Sequence, residues 1–178
     1  LERDWLAVQE EEQVKITKPK IGIMVEVPSV LLQIAEFSEL VDFFSVGSND
    51  LTQYLLAVDR NNPHVANVYS HFHPAVLRAL QRLVQDCIEH QKPVSICGEM
   101  AGDPLTAILL MAMGFNTLSM SSSNILRVRK AICHVPMADA KKLLNEVLQM
   151  NNPLVIKSWL EHYFRTHGLG DMVKSNRL

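Results

Sequence analysis

Short apolar runs along the chain alternate with longer segments in which apolar residues recur every three or four positions. Four runs have the length and composition of strands buried in a parallel sheet: residues 21–27, 41–47, 93–97 and 116–120. Helical spacing is found between and after them, at residues 29–40, 51–58, 74–91, 104–114 and 125–133. Strands that alternate with helices predict an α/β fold with a parallel sheet of about four βα units.

The alternation stops near residue 136. Two amphipathic helices are predicted beyond it, interrupted by an Asn-Asn-Pro sequence, and a loose polar tail is predicted from Asp171. We therefore divide the chain into residues 1–135, 136–170 and 171–178. Four βα units are half of a closed (β/α)8 barrel, which needs roughly 250 residues. The first division is thus expected to be either a small open sheet or the second half of a barrel.

Composition narrows the class of protein. Of 178 residues, 48% are hydrophobic and 20% are charged, which is ordinary for a globular domain and excludes disorder as the main state. The net charge of −2 leaves no basic excess for a nucleic acid or an anionic membrane. The longest apolar run, residues 107–114, is too short to cross a bilayer. We expect neither a nucleic-acid nor a membrane partner.

The cysteines and the first residues indicate the setting of the chain. Three cysteines without a Cys-x-x-Cys pair exclude a zinc ribbon and a thioredoxin-type redox pair, and favour a reduced, cytoplasmic protein. The chain begins Leu-Glu-Arg-Asp-Trp, with neither an initiator Met nor a signal-peptide pattern. Its start and length together lead us to expect a piece of a longer protein.

Polar residues near the ends of the first two strands are candidates for metal binding. Glu26 lies in an apolar run, where a carboxylate is costly to bury without a partner, so it forms a structural ion pair or has a function. Asn49 and Asp50 follow the second strand and suit either a helix cap or a binding site. Two carboxylates on adjacent strand ends are what Mg²⁺ needs. Arg60 suits a phosphate or carboxylate, or a surface ion pair.

The third and fourth strands end in small residues. Cys97 is followed by Gly98; such a cysteine is usually a small buried hydrophobe, and the glycine indicates a tight turn. Serines after the fourth strand suit either anion binding or helix capping. Gly-x-Gly-x-x-Gly, P-loop, Gly-x-Ser-x-Gly and His-Glu-x-x-His motifs are absent. The residues alone therefore predict an α/β site for a divalent metal, with an arginine and a cysteine.

Several motifs, taken in order, resemble the carboxyl-terminal part of the phosphoenolpyruvate (PEP)-utilising enzymes. They are GIMVEVP (22–28), VDFFSVGSNDLTQY (41–54), AVDR (57–60), HPA (73–75), CGEMAGD (97–103) and LSMS (118–121). Among these enzymes, the residues of the motifs are most similar to those of PEP–protein phosphotransferase, or Enzyme I, of the nitrogen-regulatory type. The resemblance covers residues 20–135, with Ser48 where the family usually has Thr, and it implies the second half of a (β/α)8 barrel followed by two helices.

The resemblance implies a role for each candidate residue. Glu26 and Asp50 are the expected ligands of Mg²⁺, from which the sequence does not distinguish Mn²⁺. Asn49, Asp50 and Arg60 are the expected contacts of PEP. Phosphoryl transfer depends on positioning and charge neutralisation, which a metal ion and an arginine supply.

The remaining two candidates belong to the third strand end. The resemblance makes Cys97 the acid–base group that protonates the enolate carbon to give pyruvate, and a thiol is a suitable proton donor near neutral pH. Gly98 is expected to shape the substrate pocket. The family transfers the phosphoryl group to a histidine of a separate amino-terminal domain, which docks a histidine-phosphocarrier protein.

That histidine and the arginines of the first barrel half lie outside the motifs found here. We therefore expect the chain to fold or to self-associate without turning over on its own. A half barrel leaves two open sheet edges, and the family's barrel domain dimerises, so a homodimer is expected.

Three alternatives stay open at this stage. Pyruvate phosphate dikinase and PEP synthase share the barrel and the same metal, arginine and cysteine positions. A non-catalytic module that senses PEP and dimerises is the second alternative, against which the intact Glu26, Asp50, Arg60 and Cys97 argue. A Rossmann-type enzyme is a distant third, because the chain has no glycine fingerprint.

Overall fold

The computed structural model describes residues 2–173 and contains one four-stranded parallel sheet. The strands are β1 (Gly22–Val25), β2 (Phe43–Gly47), β3 (Val94–Cys97) and β4 (Thr117–Ser119). They lie in the order β1-β2-β3-β4, and every neighbouring pair is parallel. Each strand falls inside a run that the hydrophobic pattern predicted, so the prediction of a parallel α/β sheet is confirmed.

Helices connect the strands and follow the sheet. They are α1 (Glu2–Glu12), α2 (Ile34–Ser38), α3 (Ser48–Leu56), α4 (Pro74–Glu89), α5 (Pro104–Met113), α6 (Ser122–His134), α7 (Met137–Gln149) and α8 (Pro153–Thr166). Two 3₁₀ helices, Pro28–Leu32 and Gly170–Met172, complete the described elements. None of the helices in the described part of the chain is both long and apolar enough to span a lipid bilayer.

The sheet is covered by helices on one face only, within the described residues. Val25, Phe44, Val46 and Ile96 point to the covered face and are fully buried. Side chains alternate along a strand, and the opposite face carries residues such as Met24, which is 44% exposed. A sheet with one buried face and one open face is consistent with part of a barrel, whose interior face needs further strands to enclose it.

Helix α5 is the centre of the covered side. Leu105, Ile108, Leu109 and Leu110 are nearly or fully buried on different sides of this helix, and a helix that is apolar all round must be enclosed. Helices α6, α7 and α8 pack around it. The two carboxyl-terminal helices, predicted from their amphipathic pattern, therefore share one core with the sheet.

The predicted helix over residues 29–40 is wrong as a single element. The structure divides it into a 3₁₀ helix and α2, separated at Gln33, whose φ of −132° is not helical. The break lets Val30 and Leu31 pack against the core beside the fully buried Ile34, while Leu32 stays 75% exposed.

The two ends of the chain differ from expectation. Helix α1 was not predicted; it buries none of its residues and so has no apolar stripe to reveal it. The polar tail predicted from Asp171 is wrong for its first residues, because Met172 and Val173 are buried. Asp171 also pairs with Lys130 at 2.8 Å. The rest of that predicted tail, residues 174–178, lies outside the described residues.

Candidate functional site

Four residues form a row across the carboxyl ends of the strands. Val25 pairs with Val46, so the next residue, Glu26, lies beside Gly47. Gly47 pairs with Cys97, and Cys97 pairs with Ser119. Because adjacent parallel strands are about 4.8 Å apart, the row brings a carboxylate, a thiol and a hydroxyl to one sheet edge. This is where parallel α/β folds place their active sites.

Glu26 occupies the space that the missing side chain of Gly47 leaves open. A Cβ added at Gly47 would lie 3.1 Å from Glu26 Oε2 and 3.2 Å from Glu26 Cβ. Glu26 is half-buried, yet within residues 2–173 its carboxylate has neither an ion-pair nor a hydrogen-bond partner. The structural ion pair considered for Glu26 is therefore not formed here. A half-buried carboxylate without a partner is suited to a cation.

The start of α3 projects Asn49 and Asp50 from the end of β2. Helix α3 begins at Ser48, its N-cap is Gly47, and no side chain caps it, so neither residue is the helix cap that the sequence also suggested. Asn49 Oδ1 instead accepts a hydrogen bond of 3.3 Å from the backbone N–H of Glu99. Asn49 therefore joins the loop after β2 to the loop after β3.

A second link holds the same two loops together. The buried Ser48 hydroxyl donates a hydrogen bond of 2.6 Å to the carbonyl of Cys97. Gly98 follows with a φ of +104°, and a Cβ there would collide with Ser48 Oγ and lie 3.1 Å from Asn49 Oδ1. Only glycine accepts both the left-handed backbone and the close approach. The Ser48 hydroxyl thus fixes the loop of Cys97.

The predicted residues Asn49, Cys97 and Gly98 line one cavity of about 360 Å³. Glu99, Ser119, Met120, Ser121 and Asn124 complete its walls. The cavity is of the size that holds a small ligand. Its walls offer amide, hydroxyl and thiol groups, which suit a small polar substrate.

The two cysteines in the body of the fold have different environments. Cys87 is 0% exposed, and burial raises the pKa of its thiol to about 12. Cys97 is partly exposed and borders the cavity, and its Sγ donates to the Val46 carbonyl at 3.3 Å. The interpretation as a small buried hydrophobe therefore applies to Cys87, whereas Cys97 presents a thiol to the cavity.

Asp50 and Arg60 face each other and are not among the residues that line the cavity. Arg60 Nη2 is 4.0 Å from Asp50 Oδ1, a long contact between partly exposed groups that contributes little stability. Arg60 Nη1 is buried and has no hydrogen-bond partner in the described structure. A buried guanidinium nitrogen without an acceptor is suited to an anion.

Two residues that sequence reasoning missed pack against this group. The Tyr69 hydroxyl lies 3.2 Å from the Asn49 carbonyl and 2.9 Å from His71 Nε2. Burial raises the pKa of Tyr69, against the opposing effect of the Arg60 guanidinium. Burial also lowers the pKa of His71 from its ordinary 6.5, against the effect of Glu99. No sequence motif marked either residue.

The donor set fits Mg²⁺. Within residues 2–173, no group of three or more His, Cys, Asp or Glu side chains could hold a metal ion. Mg²⁺ does not need such a group, because it typically binds one or two carboxylates and takes its other oxygens from water and substrate phosphate. The partnerless Glu26 and the Asp50 carboxylate match that pattern.

Comparison of the sequence with known proteins identifies its family. Residues 1–137 match the family described as "PEP-utilising enzyme, PEP-binding domain". Proteins of Salmonella typhimurium and Escherichia coli named "Phosphoenolpyruvate-dependent phosphotransferase system" are each 38% identical over 174 residues, or 98% of this chain.

A third relative has a more specific name. The "Phosphoenolpyruvate-protein phosphotransferase" of Cupriavidus necator is 40% identical over 134 residues, or 75% of this chain. The chain spans about a quarter of the length of these three relatives, 23% in each case. The family match covers the sheet, the strand-end row and the cavity. The chain therefore belongs to the PEP-utilising enzymes and matches their PEP-binding domain.

Proposed function

We propose that the chain is the PEP-binding part of a PEP–protein phosphotransferase, of the nitrogen-regulatory type. The enzyme moves the phosphoryl group of PEP to a protein histidine, which passes it to a histidine-phosphocarrier protein, and releases pyruvate. One observation carries the proposal. The strand ends bring Asn49 and Cys97 to a small polar cavity and place the partnerless Glu26 beside Gly47 in the same row. Arg60, which faces Asp50, has a buried nitrogen without a partner in the described structure.

The names of the relatives favour this enzyme over the dikinase and synthase that share its site residues. We propose that residues 1–135 are the second half of a (β/α)8 barrel and that residues 136–170 are helices packed against it. Cytoplasmic location and homodimer formation are part of the same proposal.

The phosphoryl group is held by donors that have no other partner. Arg60 Nη1 is buried without an acceptor within the described residues, and a guanidinium matches phosphate geometry. The side-chain amide of Asn49 also points to the cavity. Glu26 and Asp50 would hold Mg²⁺, which when bound supplies charge stabilisation at the phosphate and at the enolate oxygen. Fixed charges of this kind provide most of the catalysis in phosphoryl transfer.

The proton step belongs to Cys97. When the phosphoryl group leaves, the bond from phosphorus to the enol oxygen breaks and a bond to the acceptor histidine nitrogen forms, which leaves the enolate of pyruvate. The Cys97 S–H then donates its proton to the enolate methylene carbon, which becomes the methyl group, and the thiolate recovers a proton from solvent. In the structure this S–H donates to the Val46 carbonyl, a contact that positions the thiol at the end of β3.

Calorimetric titration of the chain with PEP tests the binding half of the proposal. We expect PEP to bind in the presence of Mg²⁺ and not in the presence of a chelator, because Glu26 and Asp50 act through the metal. Glu26→Gln is expected to remove the Mg²⁺ dependence, while the exposed Glu146→Gln on α7 keeps it. Binding of equal strength in Mg²⁺ and chelator would contradict the metal assignment.

The catalytic half is tested in the longer enzyme that the proposal implies. Cys97→Ala is expected to lose pyruvate formation by at least about a hundredfold with PEP binding retained. The exposed Cys133→Ala serves as the matched control. A PEP-sensing module would be unaffected by either change, so unaltered turnover in Cys97→Ala would reject the catalytic role.

A further inference from the structure

Tyr69 ties the later part of the segment between α3 and α4 to the site. Residues 57–73 contain no helix or strand, and they carry Arg60, Tyr69 and His71. The Tyr69 hydroxyl reaches back 20 positions in the sequence to the Asn49 carbonyl, at 3.2 Å. This contact connects the segment to the first turn of α3.

The directions of the hydrogen bonds follow from the chemistry of the groups. A carbonyl oxygen can only accept, so the Tyr69 O–H donates to Asn49. The 2.9 Å contact between Tyr69 Oη and His71 Nε2 must then have His71 Nε2–H as the donor. This assignment needs a neutral Tyr69, which burial favours by raising the pKa of its hydroxyl. Burial lowers the pKa of His71, which favours the neutral ring with its proton on Nε2 as the donor.

Arg60 completes the arrangement. Its guanidinium is close enough to Tyr69 to interact with the hydroxyl oxygen, and its Nη2 is 4.0 Å from Asp50 Oδ1. Its Nη1 is buried without a partner in the described structure. A free arginine side chain samples many rotamers, so a neighbour that restricts it lowers the entropic cost of binding an anion.

We propose that Tyr69 is a positioning residue for the phosphoryl group, and that His71 sets the direction of its hydroxyl. The Tyr69 hydroxyl donates to the Asn49 carbonyl, and the Arg60 guanidinium acts on it electrostatically, so Tyr69 is linked to both groups assigned to the phosphate. It acts through them and does not itself touch the substrate. This inference rests on the proposed function, which supplies the phosphoryl ligand.

The proposed role of Tyr69 requires its hydroxyl group and not only its aromatic ring. Tyr69 and His71 form an edge-to-face ring contact with centroids 5.2 Å apart, which phenylalanine would retain. Phenylalanine would lose the bonds to Asn49 and His71 and the interaction with Arg60. Tyr69→Phe therefore separates the positioning role from the packing role.

The chain offers a matched control. Tyr163 on α8 is also half-buried and beside a histidine, with its ring 3.9 Å from that of His167. It lies outside the cavity walls. Tyr163→Phe thus removes one phenolic hydroxyl from a similar setting without touching the site.

Binding to two ligands by the whole chain distinguishes a positioning role from general damage. With Mg²⁺ present, we expect Tyr69→Phe to weaken PEP binding about threefold to tenfold, the worth of a typical hydrogen bond. Oxalate, which resembles the enolate but has no phosphoryl group, is expected to bind equally to wild type and variant. His71→Gln retains an N–H donor and is expected to recover most of the affinity that His71→Leu loses.

A second measurement needs no ligand. Amide hydrogen exchange at residues 66–70 is expected to be faster in Tyr69→Phe and unchanged in Tyr163→Phe, because the Tyr69 hydroxyl ties this part of the segment to α3. Residues 57–62 serve as an internal reference, since the N–H groups of Val58 and Arg60 bond to Gln53 of α3 in either case. Equal exchange in wild type and Tyr69→Phe would overturn the inference, as would an equal loss of PEP and oxalate affinity. If wild type binds no PEP, the proposed function fails while hydrogen exchange still decides the Tyr69 link.

Discussion

Buried ionisable groups make the free energy of unfolding depend on pH, and Cys87 is the clearest example in this fold. Burial raises the pKa of its thiol from 9.0 to about 12. Because the folded value exceeds the unfolded value, the stability that the neutral thiol contributes is complete below pH 9.0 and is lost as the pH rises toward 12. The free energy of unfolding of wild type is therefore expected to fall toward that of Cys87→Ala across this range.

Urea unfolding of both proteins at several alkaline pH values measures this difference directly. Cys87→Ala also leaves a cavity, whose cost of about 1–2 kcal/mol does not depend on pH. Cys133→Ala, at an exposed position, controls for the loss of a thiol. A difference between wild type and Cys87→Ala that stays constant through pH 9.0 to 12 would contradict the assigned shift.

At the same scale, sequence reasoning identified residues that break a local rule. Glu26 was noticed because a carboxylate in an apolar strand is costly, and Gly98 because paired glycines indicate close approach. Tyr69 and His71 were missed, since a tyrosine or histidine in a loop breaks no rule. Their roles arise only when residues 57–73 fold back onto α3, and single-sequence patterns carry no signal for that contact.

At the scale of elements, Arg78 connects α4 to the carboxyl-terminal end of α7. Its Nε and Nη2 donate to the Leu148 carbonyl at 3.2 and 3.0 Å, and Nη2 also reaches Met150 O at 3.2 Å and Asn151 Oδ1 at 2.8 Å. The last carbonyls of a helix have no partner within it and carry partial negative charge. Arg78 satisfies one of them and fixes the turn into α8.

Arg78→Ala is expected to lower the free energy of unfolding by about 1–2 kcal/mol, the lower end reflecting its exposed position. Arg82→Ala on the same helix is the control. The Arg82 side chain is 73% exposed, and its ion pair with Asp86 is long, at 3.9 Å. Its loss is therefore expected to change the free energy of unfolding by no more than about 0.5 kcal/mol. Chemical denaturation of the two variants compares them. Equal losses would mean that Arg78 does not support α7.

Elements were predictable where periodicity and capping agreed. Helix α4 has a continuous apolar stripe, Pro74 in its first turn, and a His73 side chain that accepts from Ala75 N–H. The segment 29–40 has apolar residues at nearly helical spacing, yet Gln33 leaves the helical region, and the break accompanies a buried Ile34 and an exposed Leu32. Such a break depends on the surface that the segment meets, which spacing alone does not describe.

For the molecule as a whole, the parallel sheet was predictable because its strands alternate with helices, whereas the order β1-β2-β3-β4 is known from the structure. The position of the carboxyl-terminal helices did not follow from their own pattern. It depends on α5, whose fully apolar surface requires cover from several sides. Whether the open face of the sheet is enclosed likewise depends on how the chain assembles, and the pattern of a single segment does not determine it.

That open face makes self-association the expected behaviour of this chain in solution. β1 and β4 are the outer strands of the described sheet, and unpaired strand edges readily pair with another chain. Since all four strands are parallel, a twofold axis along the strands would place β4 of one copy beside β1 of the other at both seams. The result is a closed ring of eight parallel strands.

Sedimentation of the 20.1 kDa chain at micromolar concentration is therefore expected to give a dimer. Thr117→Lys places a charge on the open face of edge strand β4, and it is expected to shift the equilibrium toward monomer because the closed ring would bury that charge. Asn145→Lys, on the exposed side of α7, adds the same charge away from the sheet and should leave the dimer intact. A wild-type monomer, or equal effects of the two lysines, would show that the sheet edges do not form the interface. In either case the open face would need strands from elsewhere to enclose it.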